Sequence, residues 1–88
     1  MTSGYEVRVS ARAERDLLRL PEKISAACLE FIFGPLADEP QRVGGPLSGQ
    51  LTGMRSARRC SYRIIYKIDE QLRQVDVIHL DHRGNVYR

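Results

Sequence analysis

Apolar and charged residues alternate through Tyr5-Glu-Val-Arg-Val9, which places Tyr5, Val7 and Val9 on one face of a half-buried strand. After Ser10 the period changes. Ala13, Leu17 and Leu20 recur at spacings of four and three, while Arg12, Glu14, Arg15, Asp16 and Arg19 fall mostly elsewhere, so residues 11–20 read as a short amphipathic helix with Ser10 as its N-cap. Pro21 suits the first turn of a second helix, where a missing N–H costs nothing, and Glu22 meets the positive helix end. Ile24, Ala27, Cys28, Phe31 and Ile32 keep the helical period until Gly34-Pro35, which is expected to kink or interrupt it. The stretch 39–49 concentrates Gly and Pro without a period and reads as a connecting loop.

Strand signals dominate the rest of the chain. Residues 54–59 form a candidate second strand, and Tyr62-Arg-Ile-Ile-Tyr-Lys-Ile68 is the clearest strand of all. Strict alternation places Tyr62, Ile64, Tyr66 and Ile68 on one face and Arg63, Ile65 and Lys67 on the other, with Arg63 and Lys67 outward together. Core packing with a hydroxyl at the rim is expected for Tyr62 and Tyr66. Asp69-Glu-Gln71 supplies a turn, and Gln74–Leu80 makes a fourth strand through Val75, Val77, Ile78 and Leu80. The order β-α-α-β-β-β predicts an α+β fold: a helical hairpin packed on one face of a small antiparallel sheet. At 88 residues the chain holds one hydrophobic core, so residues 1–88 are read as a single domain.

Charge sharpens this picture because it is uneven. The net charge is +3, yet residues 1–46 balance to −1 and residues 47–88 to +4, with Arg55, Arg58, Arg59 and Arg63 uninterrupted by an acid. That clustering points to an anionic partner on a C-terminal surface, against the plainer reading of a solvated strand face. Cys28 and Cys60 lack any CxxC or Cys/His spacing, so no metal site, disulfide or cofactor is indicated; Cys28 sits in the apolar stripe as a small core residue. No apolar run approaches the roughly 18 residues of a membrane span, and Met1–Gly4 lacks the apolar stretch of a secretory signal, so no membrane association and a cytoplasmic location are expected.

Three segments carry a family resemblance. Gly53-Met-Arg-Ser-Ala-Arg-Arg-Cys-Ser-Tyr-Arg-Ile-Ile-Tyr-Lys-Ile68 resembles the central signature of the RelE/ParE toxin superfamily, RelE-like branch. Ala13, Arg15, Asp16, Leu17 and Leu20-Pro21 resemble its first helix, and His79-Leu-Asp-His-Arg-Gly-Asn-Val-Tyr87 its last strand and His-Arg-x-x-x-Tyr tail. The resemblance implies the RelE-like microbial RNase fold and a type II toxin that cleaves mRNA in the ribosomal decoding site. It also implies a RelB-like antitoxin as cognate partner, with the ribosome and mRNA as targets and operator DNA reached only through the antitoxin complex. An exposed cationic face independently suits an acidic partner that folds on binding.

The implied chemistry is transesterification: a 2′-hydroxyl attacks the adjacent phosphate, which needs a base, cations for the phosphorane and an acid for the leaving oxygen. Arginine binds phosphate bidentately without losing its charge, so motif position assigns Arg58, Arg63 and Arg83 to that role. Arg55, Ser56, Arg59 and Lys67 are expected to contact the RNA or ribosome, and Tyr87 to stack on a base or assist proton transfer. Where the family pattern has lysines this chain has Met54 and Ser56, which leaves the base and acid open; His82 is the candidate base from its titration range, against a surface histidine without a role. His79, between apolar neighbours, reads as structural. Cys60 replaces a usual turn glycine, a substitution costing on the order of 1 kcal/mol if the turn requires positive φ. Two other readings share the scaffold: a ParE-like gyrase poison without RNase activity, favoured by the missing lysines, and a non-toxic nucleic-acid-binding accessory domain.

Overall fold

The computed structural model describes residues 4–82, so the expected site residues Arg83 and Tyr87 lie outside the described residues. Strand β1 spans Glu6–Val9, helices α1 and α2 span Ala11–Arg19 and Glu22–Phe31, and four further strands follow: β2 (Gly45–Pro46), β3 (Arg55–Arg59), β4 (Tyr62–Asp69) and β5 (Gln74–His82). The three C-terminal strands form the expected antiparallel meander. The sheet as a whole is mixed, in the order β1-β5-β4-β3-β2, because β1 joins β5 in parallel. Periodicity fixes which side chains of a strand face the core, but not the strand's neighbour or direction, and this long-range pairing is what it left out. The loop expected at 39–49 also contributes the two residues of β2, which pair with Arg55 and Ser56.

Both helices pack on one side of the sheet. Ala13, Leu17, Cys28, Ile32 and Leu36 bury against Ala57, Ile64, Tyr66, Val75, Val77 and Leu80. Pro35 does not end the second helix: Ile32–Leu36 widen into a π-helical turn that accommodates the residue without an N–H while keeping Ile32 and Leu36 buried. Tyr66 is fully buried, hydroxyl included, and that hydroxyl donates to the Pro40 carbonyl at 2.6 Å. Burial pushes the Tyr66 hydroxyl pKa up, with nearby Arg55 opposing the rise.

One irregularity controls what the last strand presents. Tyr62, Arg63, Ile64 and Ile65 of β4 stand opposite His82, Asp81, Leu80 and His79, but Tyr66 stands opposite Val77, so Ile78 is an extra residue in β5. This β-bulge shifts the alternation by one position. Val77 and Leu80, three residues apart, therefore both face the core, and His79 and Asp81 turn to the opposite side. Helix α1 holds the bulge where β1 stops covering β5. The Ser10 hydroxyl caps α1 by accepting from the Ala13 N–H at 3.0 Å and donates to the Ile78 carbonyl at 2.5 Å. The Asp16 carboxylate accepts from the Leu80 N–H at 3.0 Å.

Candidate functional site

The sheet face away from the helices carries Ser56 and Arg58 from β3, Arg63, Ile65 and Lys67 from β4, and His79 and Asp81 from β5, as the strand register requires. Arg58 and Arg63 stand directly opposite each other. Like charges in that position repel, with Cβ atoms roughly 4.5–5.5 Å apart in such pairs. Among the described residues neither arginine makes an ion pair within 4 Å, and the Arg63 Nε is buried without a hydrogen-bond partner. Asp81, across from Arg63, does not neutralise it; its carboxylate lies 3.2 Å from His79 Nδ1 instead. Both arginines line a cleft of about 500 Å³, closed on one side by Val43, Gly44 and Gly45 and floored by Ser56 and Ala57. The wall depends on Gly44, since a Cβ there would collide with the Ser56 carbonyl and the Tyr66 hydroxyl. Two unpaired guanidinium groups converging on a cleft make a site for a phosphate.

The arginine run divides by strand alternation. Arg58 faces the cleft, but Arg55 and Arg59 share the helix side with Ala57. Arg55, expected to contact RNA, is a brace: its guanidinium donates to the carbonyls of Gln41 and Gly44 at 2.8 and 3.0 Å, tying the cleft wall to β3. Exposed Arg59 lies beside Glu30, Phe31 and Pro35, away from the cleft. Lys67 is exposed on the open face but stands opposite Asp76 at the far end of β4. Ser56 lines the cleft.

The two histidines exchange the positions that simple alternation assigns. His82 pairs with Tyr62 and stacks edge-on against its ring, centroids 5.0 Å apart, on the side of Ile64 and Leu80. The structure thus does not bring His82 to the side of Arg58 and Arg63. The cause is the bulge at Ile78, which puts His79 and Asp81 there instead, and neither was singled out for chemistry in the sequence. Cys60, exposed at the tip of the β3–β4 hairpin, adopts φ 58°, so the turn does require the left-handed conformation that glycine favours. Among the described residues no helix is long and apolar enough to cross a membrane.

A helical hairpin on one side of a five-stranded sheet, with an arginine-lined cleft on the other, defines an α+β domain of the RelE-like toxin class. Residues 7–87 match the family model described as the ParE toxin of a type II toxin–antitoxin system, and the chain belongs to that family, in its RelE-like branch. It is 52% identical over 84 residues to Toxin RelE of Mycobacterium tuberculosis, covering 96% of this chain and 87% of that one. It superposes with TM-score 0.87 and 49% identity on the toxin–antitoxin complex RelBE2 from the same organism, covering 91% of this chain and 99% of that one. The archaeal RelE–RelB complex from Pyrococcus horikoshii gives TM-score 0.74 at 25% identity, covering 92% and 97%.

Proposed function

We propose that this toxin is a ribosome-dependent endoribonuclease that inhibits translation by cutting mRNA in the decoding site through 2′-hydroxyl transesterification. The observation that carries the reading is the facing pair Arg58 and Arg63, unneutralised in an open cleft. A pair that costs folding energy and lacks a protein counter-ion suits a negative charge that arrives with substrate. The guanidinium groups hold the scissile phosphate and the phosphorane that forms from it, Ser56 contacts the strand from the cleft floor, and Lys67 steers the RNA backbone toward the face. Arg83 adds a further phosphate contact and Tyr87 stacks on a substrate base or assists proton transfer. The ribosome completes the site by bending mRNA so that the 2′-hydroxyl lies in line with its phosphate, a positioning effect the small cleft alone does not supply.

The toxin acts in the cytoplasm and is neutralised there by a RelB-like antitoxin, a reading supported by relatives solved as toxin–antitoxin complexes. Operator DNA is bound only through that complex. The test maps RNA ends after adding purified toxin to programmed ribosomes. Cleavage that requires the ribosome and leaves 2′,3′-cyclic phosphate and 5′-hydroxyl ends is expected. Intact mRNA together with inhibited gyrase supercoiling by the same preparation overturns the nuclease in favour of the poison.

A further inference from the structure

We infer that His79 is the group that accepts the proton from the attacking 2′-hydroxyl, and that Asp81 positions it. The inference rests on the nuclease reading and supplies the base that reading lacks. Four observations carry it. The bulge at Ile78 turns His79 and Asp81 onto the face of Arg58 and Arg63 while turning His82 away from it. Bulges occur preferentially beside active sites because they re-aim a side chain, and this one is held by the Ser10 hydroxyl and the Asp16 carboxylate, both from α1. His79 stands across from Ile65, which is fully buried, so the imidazole has an apolar neighbour and its side chain is only 13% exposed. Its Nδ1 lies 3.2 Å from Asp81 Oδ1, close enough for an ion pair though off the line of a good hydrogen bond.

With Asp81 beside Nδ1, the neutral tautomer that carries its proton on that nitrogen leaves Nε2 as the base. Register places His79 one strand over from Ile65, diagonal to Arg63, a separation of about 7–8 Å between backbones. A scissile phosphate held by Arg63 thus has its ribose within reach of the imidazole. His79 Nε2 takes the 2′-hydroxyl proton as the 2′-oxygen forms its bond to phosphorus and the bond from phosphorus to the 5′-oxygen breaks; the departing oxygen takes a proton from water. Among the described residues the charged groups on the face are Asp81 and Asp76 from β5, Arg63, Lys67 and Asp69 from β4, Arg58 from β3, and Arg8 and Glu6 from β1.

Single-turnover cleavage on saturated ribosomes is compared across pH for wild type, His79→Gln, Asp81→Asn, Asp81→Glu and His82→Gln, each checked for native far-ultraviolet circular dichroism. His79→Gln is expected to slow cleavage by about 10²-fold or more and to flatten the acid limb. Asp81→Asn, which removes the carboxylate and keeps the shape, is expected to slow cleavage by about 10-fold or more, with Asp81→Glu recovering much of the rate, a rescue that a purely structural role does not produce. His82→Gln is expected to cleave within about threefold of wild type, the effect of a surface change away from the chemistry. Wild-type cleavage with an unchanged rate and pH profile in folded His79→Gln overturns the assignment of His79 alone. Should His79→Gln fail to fold, wild-type cleavage by folded Asp81→Asn overturns it equally. Absence of cleavage by wild type overturns the nuclease reading itself and this inference with it.

Discussion

Arg63 is partly buried, its Nε has no partner, and an arginine faces it across the strand, so on the proposed function its contribution lies in binding rather than in folding. Arg63→Ala is expected to slow ribosome-dependent cleavage by roughly 10²–10³-fold, the scale for losing one transition-state charge contact. Urea unfolding of the same variant is expected to show stability within about 0.5 kcal/mol of wild type, since relief of like-charge repulsion offsets the lost packing of the stem. Cys60 is the opposite kind of residue, strained without a partner. With φ 58° at the hairpin tip, Cys60→Gly is expected to stabilise the domain by about 1 kcal/mol, read as a rise in Tm of roughly 4–8 °C. Cys28 titrates against the fold: burial pushes its thiol above the ordinary value of 9.0, so its contribution is intact below pH 9 and is lost as pH rises through the folded value. Thermal stability is expected to fall from about pH 9 upward, and Cys28→Ala is expected to postpone that onset toward the range where Tyr66, raised from 10.0, begins to ionise. The arginines and the turn cysteine were legible as residues, because their chemistry is written in their type. Alternation within β3 separates Arg55 and Arg59 from Arg58, and expecting all three to contact RNA overlooked it.

At the scale of elements, α1 does more than cover the sheet. Its N-cap Ser10 satisfies the first turn of the helix and the Ile78 carbonyl, so one hydroxyl joins a helix start to a strand irregularity. Ser10→Ala is expected to cost about 1–2 kcal/mol in urea unfolding, at the upper end for a cap because a strand carbonyl also loses its donor. A loss below about 0.5 kcal/mol would show that the bulge holds itself. The cap was readable from the sequence, since Ser before an amphipathic period is a local signal. The bulge was not, because Val75 to Leu80 offers apolar residues at 75, 77, 78 and 80, and nothing in that run says which of them is surplus. That one residue reverses the roles of the two histidines, which is why titration range alone selected His82. Pro35 shows the same limit in a helix: its missing N–H was legible, but the π-helical turn that absorbs it depends on how Ile32 and Leu36 bury against the sheet.

Across the described molecule, the concentration of positive charge in residues 47–82 does not become one surface. Arg55 is committed to carbonyls on the helix side, Arg59 lies by α2, and Lys67 and Arg8 stand near Asp76, with Arg8 at 3.6 Å from its carboxylate. Among the described residues, what remains unneutralised on the open face is Arg58 and Arg63, so ribosome affinity is expected to fall linearly on logarithmic axes as salt rises, with each phosphate contact contributing about 0.7–0.9 to the slope. Arg58→Gln and Arg63→Gln are each expected to reduce that slope by about one contact. Lys67→Gln is expected to change it by clearly less, because Lys67 stands at the far end of β4 from the cleft. If an acidic antitoxin covers the same face, its affinity responds to salt and to the two arginine variants in parallel, and ribosome and antitoxin compete. Equal effects of Lys67→Gln and Arg63→Gln on the slope would place the RNA path along the whole of β4 and not over the cleft.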